Sequence, residues 1–197
     1  MEIENSIKEN LKQNYSCLEN LDKKSTQIKE IVEHLITARN NGKTIFTMGN
    51  GGSGSTSSHF VSDLLKTAIT VDSNRFKAIS LVDNVPVNLA WANDVSYDSI
   101  FSEQLQNFLN PDDVVIVFSG SGNSSNVVNA LQYAKTKGAV TIAISGMTGG
   151  QISKISGISL IVPSNDMLII ESMHVLICHC MINAIREQGT PKFSYDS

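Results

Sequence analysis

Two short stretches of this 197-residue chain place small hydroxyls and glycines directly after apolar runs. They are GNGGSGSTS at 49–57 and SGSGNSSN at 119–126. No side chain in them is large enough to build a core. Such a loop lets a ligand approach the backbone, and a helix beginning just beyond it offers free N–H groups and partial positive charge to an anion. Ser119, Ser121 and Ser124 are spaced so that a turning backbone brings three hydroxyls around one phosphate. Plain turn chemistry, with Ser124 as an N-cap, is the alternative. The GK[ST] of a P-loop is absent and no GxGxxG keeps its spacing, so a sugar phosphate fits better than a nucleotide.

The residues able to move protons or hold a metal are few. His59 and Asp63 are four apart on a predicted helix that starts at the first glycine-rich loop, so they share a face within about two turns of the ligand. The run IIESMHVLICHCMI carries Glu171, His174 and His179 among apolar neighbours. Polar groups inside a core-like helix need partners, because a buried unpaired charge is costly. Glu171 and His174 have the spacing of a carboxylate–histidine metal pair, and a core histidine bonded to a carbonyl is the equal alternative. Cys178 and Cys180 flank His179, but neighbours on a helix point about 100° apart, which argues against a shared metal. With Cys17 they read as reduced thiols of a cytoplasmic protein.

Positioning these groups falls to alternating strands and helices. The first forty residues read as two helices, with Ile3, Ile7, Leu11, Tyr15 and Leu18 on one face of the first and Ile28, Ile31, Val32, Leu35 and Ile36 patterned on the second. Asn41-Gly42 ends that second helix. Strands are expected at 44–48, 77–81, 114–118, 140–144 and 158–162. Helices are expected at about 55–66, 86–92, 100–109, up to about 137, and 167–186. Continuously apolar strands alternating with helices imply a parallel sheet covered on both faces, with ligands at the carboxyl ends of the strands. Both serine-glycine loops fall there. The partition is one domain over 1–197: helices at 1–42, an α/β core at 43–187 and a tail at 188–197.

Composition narrows the partners. Fifteen Lys and Arg against 19 Asp and Glu leave a net charge of −4 with no basic block, which argues against nucleic-acid binding. The polar, acidic start is wrong for a signal peptide, and no unbroken apolar run reaches the roughly 20 residues of a membrane span.

TMGNGGSGSTSSHFVSDL, AWANDVSYDSIFSEQL and VFSGSGNSSNVVNAL together resemble the sugar isomerase (SIS) domain, and within it the phosphoheptose isomerases, over essentially the whole chain. The resemblance implies a three-layer αβα fold with a five-stranded parallel sheet, assembled as a homotetramer with active sites at subunit interfaces. It implies isomerisation of sedoheptulose 7-phosphate to an aldoheptose 7-phosphate. Asn50, Gly51, Gly52 and Ser53 would contact the sugar phosphate, Ser119, Gly120, Ser121 and Ser124 would hold its phosphate, and Asn93 and Asp94 would contact the sugar. His59, Asp63, Glu171 and His179 match positions that bind zinc in some members, and Asp63 and His179 match the proposed acid and base. Glu171 would also meet substrate, and His174 would stand behind the site.

Three positions depart from the family pattern. Asp63 stands where the family carries glutamate, Glu171 where it carries glutamine, and Gly120 where it carries threonine. The rival to an enzyme is a non-catalytic oligomeric adaptor of the replication-initiator-associating kind. The altered Asp63 favours that reading, and the intact phosphate loop with four potential metal ligands favours the isomerase.

Overall fold

A computed structural model describes residues 2–194. Of the tail expected at 188–197, its last three residues, like Met1, lie outside the described part. The strands are β1 (Thr44–Met48), β2 (Lys77–Ser80), β3 (Val114–Ser119), β4 (Val140–Ser145) and β5 (Ile158–Ile161). They pair in parallel in the order β2-β1-β3-β4-β5. That order reverses direction at β1, so a crevice opens between the carboxyl ends of β1 and β3, where sheets of this kind bind ligands. Met48 stands opposite Val117, so the loops after β1 and β3 leave the sheet side by side.

The helices are α1 (Ile3–Asp22), α2 (Ser25–Asn40), α3 (Gly52–Ser62), α4 (Val85–Asp94), α5 (Ser102–Phe108), α6 (Ser125–Thr136), α7 (Ile152–Ile155) and α8 (Met167–Arg186). Alternation along β3 divides the core. Val114, Ile116 and Phe118 pack with α2, α3 and α8, while Val115 and Val117 pack with α5, α6 and α7. The result is the expected three-layer αβα arrangement.

Two details bear on the site. The first is how α3 sits on the sheet. Ser57 exchanges hydroxyl hydrogen bonds with Thr47 of β1 at 2.7 Å and Ser80 of β2 at 2.8 Å, all three buried. Those bonds satisfy hydroxyls that burial would otherwise penalise, and they set which face of α3 turns toward α8. The second is a wider helical turn over Asp63–Thr67, where the amide of Ala68 bonds the carbonyl of Asp63 five residues back at 2.8 Å. Such π turns are rare and recur at functional sites.

Two elements differ from their sequence reading. The stripe Ile3, Ile7, Leu11, Tyr15 and Leu18 does lie on one face of α1, but that face is 39–81% exposed, and Cys17 and Leu21 make the contact with the body. α8 corrects the expectation that nothing reaches membrane-span length: among the described residues it is the one helix long and apolar enough. Scattered polar residues hid this from a search for an unbroken run. Ile169, Ile170, Met173, Ile177, Met181, Ile182 and Ile185 bury against the sheet, so it is placed as a core helix.

Candidate active site

The two loops are joined across the crevice. Asn50 Nδ2 donates to Asn126 Oδ1 at 3.0 Å, and Asn126 Nδ2 returns a bond to Asn50 Oδ1 at 2.8 Å. The Tyr97 hydroxyl donates to the same Asn50 oxygen at 2.8 Å. Gly51 follows with φ of +53°, a backbone that side-chain-bearing residues rarely adopt. Beside it lies a cavity of about 400 Å³ lined by Asn50, Ser55, Ser58, Asn88 and Tyr97 among others.

In the second loop, Ser119 Oγ accepts from the Gly122 amide at 3.1 Å and Ser121 Oγ from the Asn123 amide at 3.3 Å. Each hydroxyl therefore keeps its own proton to donate. Ser124 occupies the N-cap of α6, yet its side chain makes no capping bond. No hydrogen bond among the described residues engages the amides of Ser124, Ser125 and Asn126, the free donors of a helix start.

The start of α8 lies over both loops. Its Met167 sulfur occupies the space a Cβ at Gly120 would need, which gives a physical reason for glycine there. One turn on, the Glu171 carboxylate packs on Gly52, with Oε1 2.6 Å from where a Cβ would stand. A carboxylate at the amino end of α3 offsets that helix's partial positive charge, whereas the first turn of α6 carries no acidic residue. An incoming phosphate is thus favoured at the second loop.

α3 and α8 run side by side away from the loops, and farther along they bring three groups together. His59 Nε2 lies 2.8 Å from His179 Nε2 and 3.4 Å from Asp63 Oδ2, and His179 Nε2 lies 3.8 Å from that oxygen. Donor atoms around a tetrahedral zinc with bonds of 2.0–2.1 Å stand about 3.3 Å apart, so the triangle fits one face of such an ion. Two imidazoles and a carboxylate with a position left open is also the donor set of catalytic zinc. The histidines are half exposed, at 46% and 51%, and Asp63 is 15% exposed.

The chain is similar to known proteins over most of its length. The SIS domain family model matches residues 11–146. A phosphoheptose isomerase of Helicobacter pylori is 36% identical over 94% of this chain and 93% of its own. One from Trichlorobacter lovleyi is 35% identical over 82% of each. The chain belongs to the phosphoheptose isomerase family. A solved phosphoheptose isomerase from Francisella tularensis superposes with a TM-score of 0.90 at 27% identity, covering 95% of this chain and all of that one.

Of the residues matched to the family's site, the fold brings His59, Asp63 and His179 together and leaves Glu171 apart. Glu171 lies inside regular helix, eight residues or about 12 Å before His179, so the two cannot share an ion within one chain. His174 does not pair with Glu171. It is fully buried near Phe118, with ring centroids 6.0 Å apart, and neither nitrogen makes a well-formed hydrogen bond. Burial pushes it down to about 4, an effect the Ser145 backbone only partly offsets. Asn93 and Asp94 are exposed at the end of α4 and bond each other at 2.7 Å, with no hydrogen bond to either loop. Ser53 is buried beneath the first loop against Gly49. Cys178 is buried and Cys180 exposed, consistent with the two not sharing a ligand.

Sequence reasoning missed Tyr97, Asn126 and Thr67. Tyr97 and Asn126 lie inside the motifs quoted above, but only the crevice reveals that both bond Asn50 or its amide. Thr67 donates from Oγ1 to Asp63 Oδ1 at 2.9 Å.

Proposed function

We propose that this member of the phosphoheptose isomerases converts sedoheptulose 7-phosphate to D-glycero-D-manno-heptose 7-phosphate, with the phosphate held by Ser119, Ser121, Ser124 and the start of α6. The observation that carries this reading is the pairing of a donor-rich loop at the sheet's switch point with an Asp–His cluster on the helices beside it. Aldose–ketose isomerisation removes a proton from C1 of the ketose and returns one to C2, while the hydroxyl proton at O1 is lost and one is gained at O2. Asp63 is the group for the carbon-bound proton and His179 for the oxygen-bound proton. In this reading Asn50, Gly51 and Gly52 meet the sugar phosphate over the buried Ser53, and Asn93 and Asp94 meet the sugar. Glu171, an acceptor when ionised, takes a hydroxyl.

A divalent ion, zinc first, suits His59, Asp63 and His179. Bound there it would take up Asp63 and His179 in place of their proton-transfer roles, and would supply Lewis-acid polarisation of the substrate carbonyl instead. Within one chain this cluster stands about 12 Å along α8 from Glu171 and the loops. That separation supports a site completed between subunits, with Glu171 of one protomer serving the cluster of another. The exposed stripe on α1 supports the same homotetramer. One domain over 1–197 and a cytoplasmic location complete the proposal.

Proton exchange followed by NMR in deuterated water tests the chemistry. Sedoheptulose 7-phosphate should yield an aldoheptose carrying deuterium at C2, and Asp63→Asn should slow its appearance at least about 100-fold. An assembled, folded protein that exchanges no ketose phosphate would leave the adaptor reading in place.

A further inference from the structure

We infer that Thr67 is a positioning residue for Asp63, holding one carboxylate oxygen so that the other faces His59 and His179. The inference rests on the role just proposed for Asp63, as proton-transfer group or as metal ligand.

Hydroxyls inside helices usually bond the carbonyl four residues back. Thr37 does so to Glu33 at 2.8 Å, Thr56 to Gly52 at 3.2 Å and Ser172 to Leu168 at 2.8 Å. Thr67 does not. Its Oγ1 bonds the side chain of the residue four back, Asp63 Oδ1, at 2.9 Å. It does so within the π turn, where the Asp63 carbonyl accepts from the Ala68 amide at 2.8 Å. In this wide turn the hydroxyl is committed to the carboxylate and not to the backbone.

Thr67 is itself held from the other side. Its carbonyl accepts from Arg186 Nη1 at 3.1 Å, at the last turn of α8. One residue therefore ties together the helix that carries His59 and Asp63 and the helix that carries His179. It also lines, with Asp63, His179, Ile182 and Asn183, a cleft of about 390 Å³ beside the cluster.

The consequence is geometric. A carboxylate rotates freely about its terminal bond unless one oxygen is fixed. With Oδ1 committed to Thr67, Oδ2 is the oxygen found 3.4 Å from His59 Nε2 and 3.8 Å from His179 Nε2. An aspartate reaches less far than a glutamate, so misorientation of its carboxylate takes it out of range sooner. Partners of this kind behind a ligating carboxylate typically change metal affinity or activity about 10–100-fold when removed.

The test compares Thr67→Val, which keeps the shape and removes the hydroxyl, with Thr67→Ser, which keeps the hydroxyl. Cobalt or zinc affinity is measured by calorimetry on metal-stripped protein, and kcat and KM on the heptose 7-phosphate. Thr67→Val should lower both metal affinity and kcat about 10-fold while KM moves less than about twofold, because the phosphate cradle lies elsewhere. Thr67→Ser should recover most of both. Wild-type kcat and affinity in Thr67→Val, or a Thr67→Ser as impaired as Thr67→Val, would overturn the inference. If the unaltered protein binds no metal, the metal role fails by itself and the kcat comparison still decides for Thr67. Should Thr67→Val not fold, Thr67→Ala in a double-mutant cycle with Asp63→Asn reads the same coupling, and strictly additive losses would refute it.

Discussion

Asn50 and Asn126 trade hydrogen bonds in both directions across the crevice between β1 and β3, at 3.0 and 2.8 Å. Asn126 is 1% exposed and its Oδ1 also accepts from the Val127 amide at 2.9 Å, so its orientation is settled before any ligand arrives. The pair makes one structure of two loops that are 76 residues apart in sequence. Asn126→Ala leaves the Asn50 amide without its partner and frees the first loop. It should raise KM for the sugar phosphate about 10-fold and cost about 1–3 kcal/mol of stability. Steady-state kinetics and denaturant unfolding read the two effects. An unchanged KM would show that the loops hold their places without the pair.

The phosphate cradle has its own signature. Ser121→Ala with Ser124→Ala removes two hydroxyl donors to a charged group, each worth about 1.5–3 kcal/mol. Affinity for the sugar phosphate should fall at least about 100-fold in calorimetry, and the fold should be unaffected. Unaltered affinity in the double variant would remove the cradle from the second loop.

Much of this site was legible before any coordinates. His59 and Asp63 four apart, and the two serine-glycine loops, follow from helical spacing and strand-to-helix turns, and the fold placed them as read. What could not be read were relations across the chain. No local pattern in DLLKT announces the π turn over Asp63–Thr67. Tyr97 reaches Asn50 from 47 residues away, a contact set by the packing of the segment after α4. Glu171 and His179 look like partners in a motif, yet helical rise separates them in one chain. α7, four residues long, is too short to show periodicity. The α1 stripe was legible as a face, but not what covers it.

That face makes a prediction of its own. α1 exposes Ile3, Ile7, Leu11 and Tyr15 at 55–81% along one face, and contiguous exposed apolar side chains of this kind mark interaction surfaces. Light scattering should find a tetramer, and Ile7→Lys with Leu11→Lys should shift it to smaller species. If the site is shared between subunits, activity should fall in step with dissociation. A monomeric parent protein at micromolar concentration would refute both ideas.

His174 links pH to stability. Its pKa falls from 6.5 to about 4 on folding because burial disfavours the charged ring. A depressed histidine stabilises the fold fully above the unfolded value, and that contribution is lost as pH falls from about 6.5 toward 4, where the unfolded chain takes up the proton first. The shift corresponds to about 3 kcal/mol. Denaturant unfolding from pH 7 to 4 should therefore show a steeper decline in the parent than in His174→Phe. Parallel curves would mean that the ring is not buried neutral.

Metal removal is the last test, and it bears on the chemistry most directly. His59, Asp63 and His179 present donor atoms that all lie within 4.8 Å of one another. The two imidazole nitrogens at 2.8 Å can also form a simple hydrogen bond, one ring donating and the other accepting, so proximity alone does not demand an ion. The two accounts differ in what His179→Ala does. With an ion, losing one of three ligands lowers metal content in protein prepared without chelator, and chelation of the parent lowers kcat until zinc is restored. Without one, metal content is zero in both proteins, chelation changes nothing, and His179→Ala loses activity through proton transfer alone, about 100-fold or more. Glu171→Gln separates the proposal further. A carboxylate brought from another protomer would add charge to the ion, so this variant should weaken metal binding in the tetramer and leave it unaltered in dissociated protein. Equal metal content in parent and His179→Ala would exclude the cluster as the metal site, and Asp63 and His179 would then act as an acid–base pair.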